Sequence, residues 1–190
     1  MKSNKQNILD AASALFLRGG AQALSVRAIA SQAGVSTIGI YSHFDGKQGV
    51  LDALYIEGFE LVSAALEVPG AQQDPVRALL KAARNYMQLA EQNRAHYRLI
   101  FGDSEGDYTP SEQARRVGAQ AFDRLTEAVA LALPKAKNKK QQQAAALQIW
   151  SLLHGSVSLR HHDVSQLVDM KQFQAQVLAA LEILIAGLAR

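Results

Sequence analysis

Cysteine is absent from this 190-residue chain, so disulfide frameworks, zinc ribbons and thiol nucleophiles are excluded from the outset. Proline is scarce: Pro69, Pro75, Pro110 and Pro134 are all there is, and each falls where a helical pattern begins or ends. No apolar run is long enough for a bilayer, since the longest, Val177 to Ala189, is short and contains Glu182. The opening MKSNKQNILD has no signal-peptide apolar core, and a soluble cytoplasmic protein is the expectation. Neither G-x-S-x-G nor a Gly-rich phosphate loop after a strand occurs, so hydrolase chemistry lacks its nucleophile and oxyanion hole. No enzyme activity is expected, and no cofactor is implied. What remains is an ordinary globular composition, 48% hydrophobic and 19% charged, which rules out disorder and collagen-like repeats.

The most informative stretch is Leu24 to Phe44, LSVRAIASQAGVSTIGIYSHF. Leu24, Ile29 and Ala30 share one side of a short helix for which Ser25 is the N-cap candidate, because its hydroxyl can accept a free backbone N–H. Gly34 can take the left-handed conformation that ends a helix, and Val35 supplies an apolar plug. Ser36 then caps a second helix carrying Thr37, Ile38, Gly39, Ile40 and Tyr41. Two short helices about a tight turn form a helix-turn-helix, whose second helix lies in the DNA major groove. Ile40 and Phe44 fall on the face that must close this unit, whereas Ile38 suits either the core or the outside.

Periodicity predicts helices in the rest of the chain as well. The first spans about Ser3 to Arg18, with Ile8, Leu9, Ala12, Leu15 and Phe16 as its apolar stripe and Gly19-Gly20 as its stop. Asp45, with Gln48 three residues on, reads as a capping box opening a helix from Lys47 to about Glu67. Pro69-Gly70 and the polar Gln72, Gln73 and Asp74 mark a boundary. Beyond it, Asp74 caps a helix with Pro75 in its first position, a shorter one holds Tyr97 to Phe101, and Gly102 to Pro110 is a loop carrying Asp103, Glu105 and Asp107. Further helices are expected over about 111–133, from Gln141 to His161 or His162, and from Met170 to Leu188, with a break around Asp163 to Asp169. The expected architecture is all-α with about nine helices: a three-helix helix-turn-helix domain over residues 1–50 (motif 25–44), a connecting helix over 47–67, and a larger helical bundle over 71–190. The last two helices are apolar on more than one side, which makes them the expected surface for a homodimer.

Charge is uneven. Through Val50, Lys2, Lys5, Arg18, Arg27 and Lys47 stand against Asp10 and Asp45, which accounts for the whole net charge of +3. A basic surplus confined to the end holding the motif is what phosphate contacts need, although sparse charges also occur on solvated faces. Lys135, Lys137, Lys139 and Lys140 form a second basic stretch, read as a solvated turn with cations at helix ends or as another nucleic-acid patch.

From Ile8 through Leu51, with ILDAASALF, a Gly pair, LSVRAIASQAGVS, IYSHF and K-x-x-x-L, the sequence resembles the TetR family of transcriptional repressors. Trp150, His154 and Gly155 in IWSLLHGSVSL, together with YRLIF at Tyr97 to Phe101, look like the subset whose effector domain carries a Trp-His-Gly signature. The resemblance implies Ser25 and Arg27 near phosphates, Ser36, Thr37, Ile38, Gly39, Tyr41 and His43 along or just after the recognition helix, and Lys47 on a phosphate at the next helix start. Many members carry Lys or Arg directly after the Ser of the turn, where this chain has Thr37 and Ile38, so the fork by which arginine grips guanine is missing there. His43 reads as a phosphate contact or as a solvated turn residue, and Tyr41 as a packed ring with its hydroxyl free. The implied function is that of a repressor that binds a palindromic operator as a dimer and is released by an unidentified small-molecule effector. The alternative is a helical protein-interaction module that has lost DNA binding.

Candidates for an effector pocket are Trp150 and His154, one helical turn apart among leucines, with Tyr86, Tyr97, Arg98 and Phe101. His154 reads equally as a buried histidine bonded to a neighbouring helix. No metal site is expected, because His154 and His161 stand nearly two turns apart and His162 and Asp163 point elsewhere.

Overall fold

The structure is a computed structural model that describes residues 3–102, 108–161 and 172–190. The expected loop acids Asp103, Glu105 and Asp107, the break around Asp163 to Asp169 and a helix start at Met170 lie outside the described residues. Among those residues there are nine α-helices and no strand: α1 (Asn4–Gly19), α2 (Val26–Ala33), α3 (Thr37–Phe44), α4 (Lys47–Leu66), α5 (Pro75–Gln92), α6 (Arg94–Phe101), α7 (Glu112–Ala132), α8 (Lys139–His161) and α9 (Phe173–Leu188). Among the described residues no helix is long and apolar enough to cross a membrane.

Short polar side chains set most helix starts. Ser3 accepts the Gln6 N–H at 3.2 Å to open α1, Asp74 accepts the Arg77 N–H at 3.1 Å to open α5, and Ser111 accepts the Ala114 N–H at 3.2 Å to open α7. Asn138 does the same for α8, accepting the Gln141 N–H at 3.0 Å, while Gln141 Oε1 accepts the Lys137 N–H at 2.9 Å. That reciprocal pair starts α8 at Lys139, before the expected Gln141. Two lysines of the basic stretch thereby enter the first turn of α8; Lys139 lies 3.8 Å from Asp123, and Lys135 donates to the Arg190 carbonyl at 3.1 Å. Asp45 is a correction. Expected as the N-cap of α4, it closes α3 instead, in the left-handed region at φ 55° with its N–H on the Tyr41 carbonyl. Gly46 then supplies the carbonyl that accepts the Val50 N–H.

The chain divides into two compact units, residues 1–61 with 93–119, and residues 62–92 with 120–190. In the first, Ile8, Ala12 and Phe16 of α1, Ile29 of α2, Ile40 and Phe44 of α3, and Val50, Leu51 and Leu54 of α4 form a buried core that also takes in Leu99 of α6 and Tyr108. Each large aliphatic or phenyl side chain among them contributes roughly 1.5–3 kcal/mol by leaving water. Polar ties hold the later segment in place. Tyr108 donates its hydroxyl to Asp52 Oδ1 at 2.7 Å, and the Ser111 N–H donates to the same oxygen at 3.1 Å. Burial, then the bond and charge of Asp52, raise the Tyr108 phenol well above its ordinary pKa, so it stays a donor. His96 and Glu57 meet at 3.2 Å between α6 and α4.

The second unit is built around α5, whose Leu79, Ala82, Ala83, Tyr86, Met87 and Ala90 are buried. Ile149, Leu153 and Val157 of α8 and Val177, Leu181 and Ile185 of α9 are buried in the same unit. Glu91 of α5 accepts from Arg160 Nε at 2.7 Å and lies 3.3 Å from His161 Nε2.

Candidate nucleic-acid interface

The turn between α2 and α3 is specified residue by residue. Ser25 Oγ accepts the Ala28 N–H at 3.1 Å, and Ser36 Oγ accepts the Gly39 N–H at 3.1 Å. Gly34 sits at φ 67° and ψ 33°, the left-handed cap that glycine adopts without a Cβ penalty, and it bonds back to the last turn of α2. The Val35 N–H reaches the Ala30 carbonyl at 3.0 Å, completing the cap. Each serine hydroxyl thereby caps a helix start with one lone pair and keeps its proton to donate.

Helix α3 is sharply two-sided. Ile40 and Phe44 are buried, whereas Thr37, Ile38, Tyr41 and Ser42 are exposed. At 3.6 residues per turn these four positions span an arc of roughly 140°. Ile38 is 78% exposed and Tyr41 58%, so two large apolar bodies stand in water on this arc. Gly39 is half-buried beside it. His43 is exposed but turned away from Tyr41 by roughly 200° along the helix, with its ring 6.3 Å from that of Phe44. Ser42, missed in the sequence reading, donates its hydroxyl to the Gly39 carbonyl at 3.1 Å and keeps its lone pairs outward. The signal was available, because Ser42 stands one position after Tyr41 on the same arc.

Cations flank the arc. Arg27 is exposed on α2, and Lys47 is half-buried at the first position of α4, where free N–H groups add partial positive charge. Lys5 of α1, counted in the charge surplus but not placed at the motif, has its ammonium 5.8 Å over the Phe44 ring at the end of α3. The α3–α4 corner needs its glycines: Gly46 sits at φ 93°, with the Tyr41 ring 3.3 Å from where its Cβ would be, and a Cβ on Gly49 would stand 1.4 Å from the Phe44 carbonyl oxygen.

The six effector candidates divide between the two units. Tyr97, Arg98 and Phe101 belong to the first. Phe101 packs edge-on against Tyr97 and Phe59, with centroids 5.0 and 5.6 Å away, and Arg98 reaches the Leu17 carbonyl at 3.3 Å with its guanidinium 5.9 Å over Phe16. Tyr86, Trp150 and His154 belong to the second, where Trp150 Nε1 donates to the Tyr86 hydroxyl at 3.4 Å and its ring lies 5.6 Å from Phe122. Burial pushes the His154 imidazole below the ordinary histidine pKa. A separate cleft of about 470 Å³ in this unit is lined by none of the six; Leu66, Val68, Pro75, Leu79, Ala82, Ala128 and Leu131 make its apolar walls, and Glu67, Arg124 and Glu127 its polar groups. Glu67 and Arg124 are ion-paired. Among the described residues no three His, Asp or Glu side chains gather as metal ligands, and His162 and Asp163 lie outside them.

Two family descriptions match this chain: "Bacterial regulatory proteins, tetR family" over residues 8–54 and "Tetracyclin repressor-like, C-terminal domain" over residues 79–185. The second does not single out the Trp-His-Gly subset, and that finer expectation is not confirmed. The uncharacterized HTH-type transcriptional regulator Rv0681 of Mycobacterium tuberculosis is 26% identical over 172 residues, which is 88% of this chain and 75% of that protein. A protein of unknown function from Rhodococcus sp. RHA1 superposes with a TM-score of 0.80 at 25% identity, covering 100% of this chain and 97% of its own. PfmR, a TetR family transcriptional regulator from Thermus thermophilus, shares the fold at a TM-score of 0.70 and 20% identity, covering 96% of this chain and 99% of its own. With the C-terminal match alone spanning more than half of the sequence, and the capped turn of α2 and α3 in the N-terminal one, the chain belongs to the TetR family of DNA-binding transcriptional regulators.

Proposed function

We propose that this regulator is a cytoplasmic, ligand-responsive repressor without catalytic activity, binding a palindromic operator as a homodimer. The observation that carries the reading is the exposed arc of α3, an ordered helix that leaves Ile38 and Tyr41 in water while its other face is buried. In this reading Thr37, Ile38, Gly39, Tyr41 and Ser42 face the major groove, Arg27 and Lys47 hold phosphates, and Ser25 and Ser36 fix the helices that present them. His43 falls outside the arc and contributes at most a flanking phosphate contact. Two copies must present their α3 helices about 34 to 36 Å apart to enter successive grooves.

The dimer forms through α8 and α9. Leu147 and Leu159 on α8 and Ile183 on α9 are 54%, 56% and 75% exposed, apolar surface that a second copy would cover. Ala175, Ala179, Ala186 and Gly187 are also exposed on α9, small enough for a second helix to approach closely. The effector enters the 470 Å³ cleft of the second unit, whose size and apolar walls suit a small molecule. By binding one dimer geometry better than the other, it shifts the population away from DNA. Trp150, beside Tyr86 and Phe122, and His154 belong to the same unit but do not line the cleft, and His154 serves there as a structural histidine.

The test is a gel-shift titration of wild type, Tyr41→Ala and Lys47→Ala over a salt series. Lys47→Ala should lower the slope of log affinity against log salt by about 0.9 per half-site, and Tyr41→Ala should weaken binding at every salt concentration. Unchanged affinity and slope in both variants would refute the assignment.

A further inference from the structure

Base readout by α3 is unusual in what it has to work with. Its outward arc holds three hydroxyls, on Thr37, Tyr41 and Ser42, and one aliphatic side chain, Ile38, with no lysine, arginine, asparagine or glutamine among residues 37–44. The bidentate forks that grip guanine or adenine are therefore absent from the helix. The Ser42 proton is committed to the Gly39 carbonyl, leaving that hydroxyl as an acceptor. Ile38 is the outlier. A β-branched residue in the first turn brings little helix propensity, and at 78% exposure it gains almost nothing from burial in its own fold. Gly39 beside it and the short Ser42 leave its tip standing clear of the helix.

We infer that Ile38 is the specificity-determining residue of this regulator and reads the 5-methyl group of a thymine in each half-site. Resting on the reading of α3 as the groove-facing helix, it makes sequence preference a matter of apolar contact, with the hydroxyls setting register. In the major groove only thymine presents a methyl group, and a methyl is the base feature that this arc's one aliphatic side chain discriminates. Burying one methyl against apolar surface changes affinity about fourfold, and two half-sites compound to about fifteenfold.

The experiment uses the full-length chain. Duplexes are selected from a random-sequence pool, and each thymine of the enriched half-site is then replaced by deoxyuridine, which removes the methyl group and nothing else. Wild type should lose about fifteenfold when one particular thymine is replaced in both half-sites, and Ile38→Ala should bind the thymine and uracil duplexes equally. An enriched half-site without thymine, a wild type indifferent to every replacement, or an Ile38→Ala variant that keeps the discrimination would each overturn the inference while leaving DNA binding intact. A pool that yields no enriched sequence would overturn the reading of α3 along with it.

Discussion

Replacing Gly39 by alanine separates what the fold asks of this position from what DNA asks of it. Glycine in a helix costs about 0.5–1 kcal/mol relative to alanine, so an internal reason for keeping it would be a clash or a positive φ. Neither is present. A Cβ on Gly39 would meet Ser36 Oγ at 3.7 Å and Val35 carbons at 3.8 and 4.0 Å, all ordinary contacts, and Gly39 is not among the positive-φ glycines. The Ser36 cap bond to the Gly39 N–H is undisturbed by the added methyl. Gly39→Ala should therefore stabilise the protein by about 0.5 to 1 kcal/mol, raising the melting temperature by roughly 1 to 4 °C for a chain of this size. If the bare backbone instead serves close approach to DNA, the same methyl should weaken operator binding by roughly 5- to 150-fold, the range of one spoiled base-pair contact. Thermal melts by circular dichroism and gel shifts at one salt concentration read the two effects independently. A variant that melts higher and binds DNA as well as wild type would show that the glycine has no role at the interface. One that melts lower would refute the account of the space around it.

Glycine behaves oppositely ten residues on: Gly49→Ala puts a carbon 1.4 Å from the Phe44 carbonyl oxygen, so the α3–α4 corner must open, and urea unfolding should show a loss of at least about 3 kcal/mol or no folded protein. Gly34→Ala meets nothing within 4 Å but forces alanine to φ 67°, and should cost only about 1–2 kcal/mol in the same assay. Because burial lowers the His154 pKa, both folded and unfolded chains hold the imidazole neutral well above pH 6.5; as pH falls through that value the unfolded chain takes up the proton first, and stability is lost until the folded pKa is passed. His154→Gln should flatten this part of the stability–pH curve, and equal curves for the two proteins would refute the assignment. Ile183→Glu should shift sedimentation from dimer toward monomer at micromolar concentration while leaving the helical spectrum unchanged, and a retained dimer would exclude α9 from the contact.

What could be read from the sequence was what neighbouring residues decide between themselves. The caps at Ser25 and Ser36 lie three residues from the N–H groups they accept, and Gly34 closes α2 with bonds inside one turn, so the helix-turn-helix is written within twenty residues. Asp45 shows where that locality misleads. An acid three residues before a glutamine fits a helix start, but the same residue also follows α3 directly, and the left-handed closure of the preceding helix took it. Arg98 stands with Tyr86, Tyr97 and Phe101 as a pocket candidate because an all-helical bundle binds apolar ligands between its helices, and the structure shows its guanidinium donating to the Leu17 carbonyl, eighty-one positions earlier. Nothing local announces such a partner. The same holds for Tyr108 and Asp52, fifty-six positions apart, whose bond ties the start of α7 to α4. Since Leu99 and Tyr108 complete the core under α3, a cut at residue 50 would strip away buried side chains worth roughly 1.5–3 kcal/mol each, a large share of what a domain that small can muster. The helix proposed to meet DNA is drawn locally, but the core that buries its inner face also takes in residues of α4, Leu99 of α6 and Tyr108.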